Sequence, residues 1–129
     1  MWTYVQLSGQ LIDAGGQLIA VGYSGSPAGK NNPQEQSVAD VGPIPQGSYT
    51  IGPPQDTPEH GPYVLSLTPA ATDQMFGRSG FLMHGDSVAH PGCASEGCII
   101  MGLKIRQQVW TSGDHLLQVV SEANLQQFA

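Results

Sequence analysis

Positive charge is scarce in this chain. Four of its 129 residues are Lys or Arg, against ten Asp or Glu, for a formal net charge of -6. Holding a nucleic acid or an anionic lipid surface takes a face of Lys and Arg, so partners of both kinds are excluded. Long apolar runs are missing too. None approaches the ~20 residues that span a bilayer, and no membrane insertion is expected. The N-terminus has neither the basic stretch nor the apolar stretch of a secretory signal. The expectation is a protein made in the cytoplasm that leaves only if a dedicated apparatus carries it. Cysteine is limited to Cys93 and Cys98. Two thiols so close in sequence make no disulfide framework.

What the chain does have is glycine and proline, 17 and 10 residues, with 40% hydrophobic residues and only 11% charged. That balance suits short strands joined by many turns, around one core. One domain over residues 1–129 is expected, mainly β with one or two short helices. Residues 2–7 alternate as a strand does. Segments 10–12 and 17–23 flank Asp13-Ala14-Gly15-Gly16, a hairpin signal. Residues 24–46 lack periodicity and read as a long surface loop, of the kind that is often functional. Strands are predicted at 48–52, 63–68, 80–84 and 115–121, a helical turn within 69–79, and a short helix within 103–112.

Reactive groups concentrate between His84 and Cys98, a segment that holds two of the four histidines and both cysteines. A thiol that attacks an amide needs an imidazole to take its proton, or surroundings that favour the thiolate. Cys98 is read as that nucleophile and His84, at the end of an apolar strand, as its base; the alternatives are a buried apolar cysteine and a satisfied core histidine. Gly97 permits a tight turn before the thiol. The run after Cys98 is expected to begin a helix whose first N–H groups lower the thiol pKa and face an oxyanion, with the N–H groups of Gly97 and Cys98 as donors. Asp86 either orients the imidazole or ties its own loop. Ser95 either positions substrate or caps the turn. His90 reads as a solvated loop residue. Cys93 stays open between bystander, disulfide partner of Cys98 and redox switch. Tyr23, Ser24, Asn31 and Asn32, in the glycine-rich loop, either do turn chemistry or line a substrate groove.

His84-Gly85 followed by Ser95-x-Gly97-Cys98 resembles the active-site signature of the L,D-transpeptidases, whose pattern is His-Gly, a loop, then Ser/Thr-His-Gly-Cys. Pro45-Gln46-Gly47-Ser48-Tyr49 is similar to their Pro-x-Gly-x-Phe/Tyr strand. Glu96 stands where that family has its second histidine, and the His84–Cys98 loop is shorter. With Trp2-x-Tyr4, Gly22-Tyr23-Ser24-Gly25, Gly29-Lys30-Asn31-Asn32 and Gly42-Pro43-Ile44-Pro45, these departures resemble the L,D-transpeptidase effectors of bacterial type VI secretion. The resemblance implies an L,D-transpeptidase-like β-sandwich with mixed sheets. It implies L,D-carboxypeptidase and exchange chemistry on peptidoglycan stem peptides and D-amino acids, without a cofactor or metal. A cognate immunity protein, a secretion-apparatus component and delivery to a target-cell periplasm follow from it too. Two rival classes remain. His84, Asp86, His90, Cys93 and Cys98 include the ligand types of a zinc hydrolase, although their spacing fits no zinc motif. A non-catalytic binding module with the long loop as its surface is the other.

Overall fold

Short alternating apolar segments build almost the whole architecture. The computed structural model describes residues 1–122. Its strands are β1 (Trp2–Val5), β2 (Gln10–Ile12), β3 (Leu18–Val21), β4 (Tyr23–Ser24), β5 (Gly47–Ile51), β6 (Gln55–Thr57), β7 (Gly61–Pro69), β8 (Leu82–His84), β9 (Ile99–Ile100) and β10 (Leu116–Val120). One helix, α1 (Leu103–Thr111), and one 3-10 turn, Pro33–Glu35, complete it. Strand neighbours run β3-β2-β1-β10-β5-β7-β8-β9-β4, with β6 attached to β7. The β1–β10 and β8–β9 pairs are parallel and the others antiparallel.

The two ends of this path meet. β3 and β4 lie at opposite ends of the strand order, yet only Gly22 separates them in the chain. The sheet therefore curls until it nearly closes. At the seam the Gly22 N–H donates to the Gly9 carbonyl at 2.8 Å. A Cβ on Gly22 would overlap the Ile100 carbonyl, and one on Gly9 would overlap the Gly22 carbonyl, so the backbone approach needs glycine at both positions. Inside the curl, Tyr4, Leu11, Leu65, Met83, Ile99 and Leu117 are buried. Val109 carries α1 onto this core. Arg106, also buried, donates to the carbonyls of Met101 at 2.5 Å, Tyr63 at 3.0 Å and Pro62 at 3.0 Å. A buried guanidinium without a carboxylate in contact is tolerated because its N–H groups find carbonyls. That fan fastens α1 to the start of β7.

The mainly-β fold, the single short helix and most strand positions agree with expectation, and the expected sheets join into one continuous path. Three local differences stand out. The helical turn expected within 69–79 is a series of turns, because Phe76 and Gly77 adopt φ of 57° and 74°. The long loop contains β4 and the 3-10 turn. The Pro-rich stretch contains β6, which exists only by pairing with β7.

Leu65 is fully buried in β7, whereas Val88 is 98% exposed. Leu65→Ala is expected to cost about 3 kcal/mol in urea unfolding through the cavity it leaves, and Val88→Ala less than about 0.5 kcal/mol. Equal effects would place the core elsewhere.

Candidate active site

Parallel pairing of β8 with β9 creates the site. Met83 lies opposite Ile99 and His84 opposite Ile100. Side chains alternate along a strand, so Cys98, two residues before Ile100, projects to the same face as His84. Both line a cavity of about 520 Å³, together with Asp40 from the long loop, His60 from the β6–β7 turn, Arg78, and Cys93, Glu96 and Gly97 from the loop before β9.

His84 is buried, and its Nδ1 lies 2.9 Å from the Gly85 carbonyl. A carbonyl only accepts, so Nδ1 carries the proton in this bond and Nε2 keeps a lone pair. Burial pulls the imidazole below its ordinary pKa. The Gly85 carbonyl and Asp86 oppose that, while His60 and Arg106 reinforce it. Cys98 is half-buried, and burial pushes its thiol up, with Glu96 adding to the effect; a backbone hydrogen bond from Leu82 and the charge of Arg78 work the other way without prevailing. Thiol up and imidazole down means that burial favours the uncharged form of each group. The expected helix start at the thiol is corrected: β9 intervenes, and α1 begins at Leu103. The β-branched pair Ile99-Ile100 continues the sheet where a helix was expected.

Ser95 shapes the turn that carries the thiol. Its buried Oγ accepts from the N–H of Gly25 at 2.9 Å and of Gly97 at 3.1 Å, and donates to the Cys98 carbonyl at 2.6 Å. The Gly97 N–H is thereby taken, so the two donors expected to face an oxyanion reduce to the N–H of Cys98. Arg78 supports the same turn from behind. Its guanidinium donates to the carbonyls of Gln36 at 2.6 Å, Pro43 at 2.8 Å, Gly42 at 3.0 Å and Glu96 at 3.3 Å. One side chain thus ties the long loop to the loop that carries Cys98.

The glycine-rich loop acts as a fastener. Tyr23, Ser24, Asn31 and Asn32 are absent from the cavity lining, because their polar groups are engaged internally. The Tyr23 hydroxyl donates to Asp86 at 2.6 Å and accepts from the Ala94 N–H at 2.9 Å, beneath the Lys30 ammonium at 4.4 Å from the ring centre. Ser24 accepts from the Ile44 N–H at 2.8 Å and donates to the Gly97 carbonyl at 3.3 Å. Asn31 accepts from the Ser24 N–H at 3.1 Å, and Asn32 caps the 3-10 turn through the Gln34 N–H at 3.1 Å. Asp86 also binds its own loop, through the N–H groups of Ser87 at 2.8 Å and Gly92 at 3.1 Å. Orienting the imidazole therefore falls to the Gly85 carbonyl. Burial acts to raise the Asp86 carboxyl, but these hydrogen bonds and the Lys30 charge outweigh it and hold the group below its usual range. The loop tie is consequently complete above the ordinary carboxyl range and is lost as pH falls through the depressed value.

His90 is exposed and stands outside the cavity lining. Cys93 and Cys98 both carry free thiols. Among the described residues, no three His, Cys, Asp or Glu side chains are grouped to hold a metal ion, so the zinc ligand set read from sequence does not converge. Sequence reasoning missed His60 and Arg78. A histidine and an arginine beside glycines in low-periodicity segments carry no local signal. Only the scarcity of cations, four in the whole chain, could have drawn attention to Arg78.

A sequence model of the family described as the Tlde1 domain matches residues 19–122. The solved structure of Bdellovibrio bacteriovorus Bd1075 shares the fold, with a TM-score of 0.59 at 14% identity over 96% of this chain and 48% of that one. This chain spans about half the length of that protein, and at such identity the likeness is one of fold alone. No curated protein matches in sequence.

Gly97 has φ of 133°, and a Cβ there would run into Nη2 of Arg78. Gly97→Ala is expected to lower the thermal midpoint by roughly 5 °C or more, for a cost of ~2 kcal/mol. Gly102→Ala, at a position with open space and ordinary backbone, is the control. A Gly97→Ala variant as stable as wild type would show that the nucleophile turn is slack.

Proposed function

The chain belongs to the Tlde1 domain family, a family of type VI secretion effectors, and from that premise we propose that it is a cysteine enzyme acting on peptidoglycan stem peptides. The observation that carries the reading is Cys98 sharing one cavity with a buried imidazole whose Nδ1 is tied to the Gly85 carbonyl, leaving Nε2 to accept a proton.

In the proposed reaction, Nε2 of His84 takes the Cys98 proton as sulfur attacks the carbonyl between the third residue and the terminal D-alanine of a tetrapeptide stem. The oxygen of the tetrahedral intermediate faces the Cys98 N–H, with the Arg78 charge nearby. The C–N bond then breaks, the imidazolium returns its proton to the leaving amine, and a thioester remains. Water resolves the thioester as L,D-carboxypeptidase activity; a free D-amino acid resolves it as exchange. Gly97 and Ser95 shape the thiol turn, and Asp86 holds the loop that frames it. Loss of tetrapeptide donors would weaken a target wall. The chain would then act in a target-cell periplasm, with an immunity protein guarding the producer and a secretion component carrying it across.

Incubation with purified tetrapeptide muropeptides tests the reading. Tripeptide products are expected from wild type and none from Cys98→Ala, with a chelator making no difference. Conversion by Cys98→Ala would sink the cysteine mechanism, and a chelator-sensitive conversion restored by zinc would replace it with metal chemistry. The pH profile gives a second check. His84 must be neutral to accept a proton, and its pKa is lowered. The acid limb of kcat/KM is therefore expected below the ordinary imidazole value of about 6.5. A limb clearly above that value would contradict a buried base.

A further inference from the structure

His60 takes no part in the chemistry above, yet its ring lies against the base. The ring centroids of His60 and His84 are 4.2 Å apart, with the planes tilted by 31°. The β6–β7 turn that carries His60 is fixed on both sides. Its own N–H donates to Thr57 Oγ1 at 2.9 Å, and the Tyr63 N–H donates to Asp56 at 3.1 Å. Arg106 of α1 grips the carbonyls of Pro62 and Tyr63 just beyond. The hairpin thus delivers His60 to the cavity wall at a set position, with its side chain still 30% exposed.

We propose that His60 is a positioning residue acting through His84, holding the plane of the base and setting the acidity at which the base stops working. The proposal rests on the reading of His84 as the base for Cys98. Two physical arguments carry it. A histidine ring rotates in a broad, shallow well about its last torsion. One hydrogen bond at Nδ1 leaves the ring free to tilt about that bond. A flat partner against its face removes the tilt and keeps Nε2 aimed into the cavity. The second argument is charge. A proton on His60 sits ring to ring with His84 and opposes a second proton there. The other groups facing His84 are Arg106 from α1, which acts in the same direction, and Asp86 and the Gly85 carbonyl from the loop after β8, which act against it. Cys98 lines the same cavity from the turn before β9. Glu59, 86% exposed, faces His60, with its carboxylate 3.8 Å from Nε2.

Two variants separate the arguments. His60→Ala removes ring and charge, whereas His60→Phe restores a flat neutral ring. On muropeptides, His60→Ala is expected to lose about 10-fold or more of the plateau kcat, since small misplacements of a catalytic group are costly. His60→Phe is expected to recover most of that loss while its acid limb moves to higher pH by a few tenths of a unit or more. A readout that needs no substrate is the NMR titration of the His84 ring in a Cys98→Ala background. Adding His60→Phe should move that titration to higher pH. A moved titration in a protein without muropeptide activity would uphold His60 while discarding the proposed reaction. An unmoved titration overturns the charge argument whatever the activity, and an unchanged plateau in His60→Ala overturns the positioning argument.

Discussion

The pairing of β8 with β9 is the contact on which everything else depends. Few ladder bonds join two strands this short, and a parallel register between them is not enforced by any tight turn. The register is held from outside. Ser95 fixes the chain just before β9, Arg78 braces that turn against the long loop, and Ile99 and Met83 are buried beneath it. A slip by one residue would turn Cys98 away from the face that carries His84. The long loop is thus part of the scaffold that holds Cys98, although it contributes little surface to the cavity.

The electrostatics of the pair follow from the same burial. Burial disfavours the charged form of each group, lowering the imidazole pKa and raising that of the thiol. Cysteines at helix starts, in contrast, are held toward the thiolate. With α1 beginning at Leu103 instead of at the thiol, the fold supplies no such dipole.

Much of this was legible in the sequence because strands and chemistry both leave local marks. Alternation in Trp2–Val5 and Leu116–Val120, the hairpin at Asp13–Gly16, and the apolar run ending in His84 all follow from period and turn chemistry. The pattern His-Gly followed by Ser-x-Gly-Cys marked two residues, His84 and Cys98, that line one cavity. What escaped is everything that depends on long-range pairing. β6 has no strand pattern of its own, so His60 at its hairpin could not be placed beside His84. Tyr23, Ser24, Asn31 and Asn32 stand out in the sequence by their place in a glycine-rich loop, which leaves turn chemistry and a substrate groove both open. Their partners are backbone groups and the Asp86 carboxylate of the same scaffold, which a linear reading cannot distinguish from ligand groups.

Two of the four cationic side chains, Arg78 and Arg106, are buried on backbone carbonyls. Lys30 and Lys104 are left to face ten carboxylates, none of which is buried. The exposed charge is therefore more one-sided than the net charge of the chain suggests. Ions at physiological strength confine its field to about 8 Å from the surface. Within that shell an anionic polymer is held off, and a basic protein face is drawn in at a rate that falls as salt is added. The internal demand for guanidinium groups has thus set how the molecule meets other macromolecules.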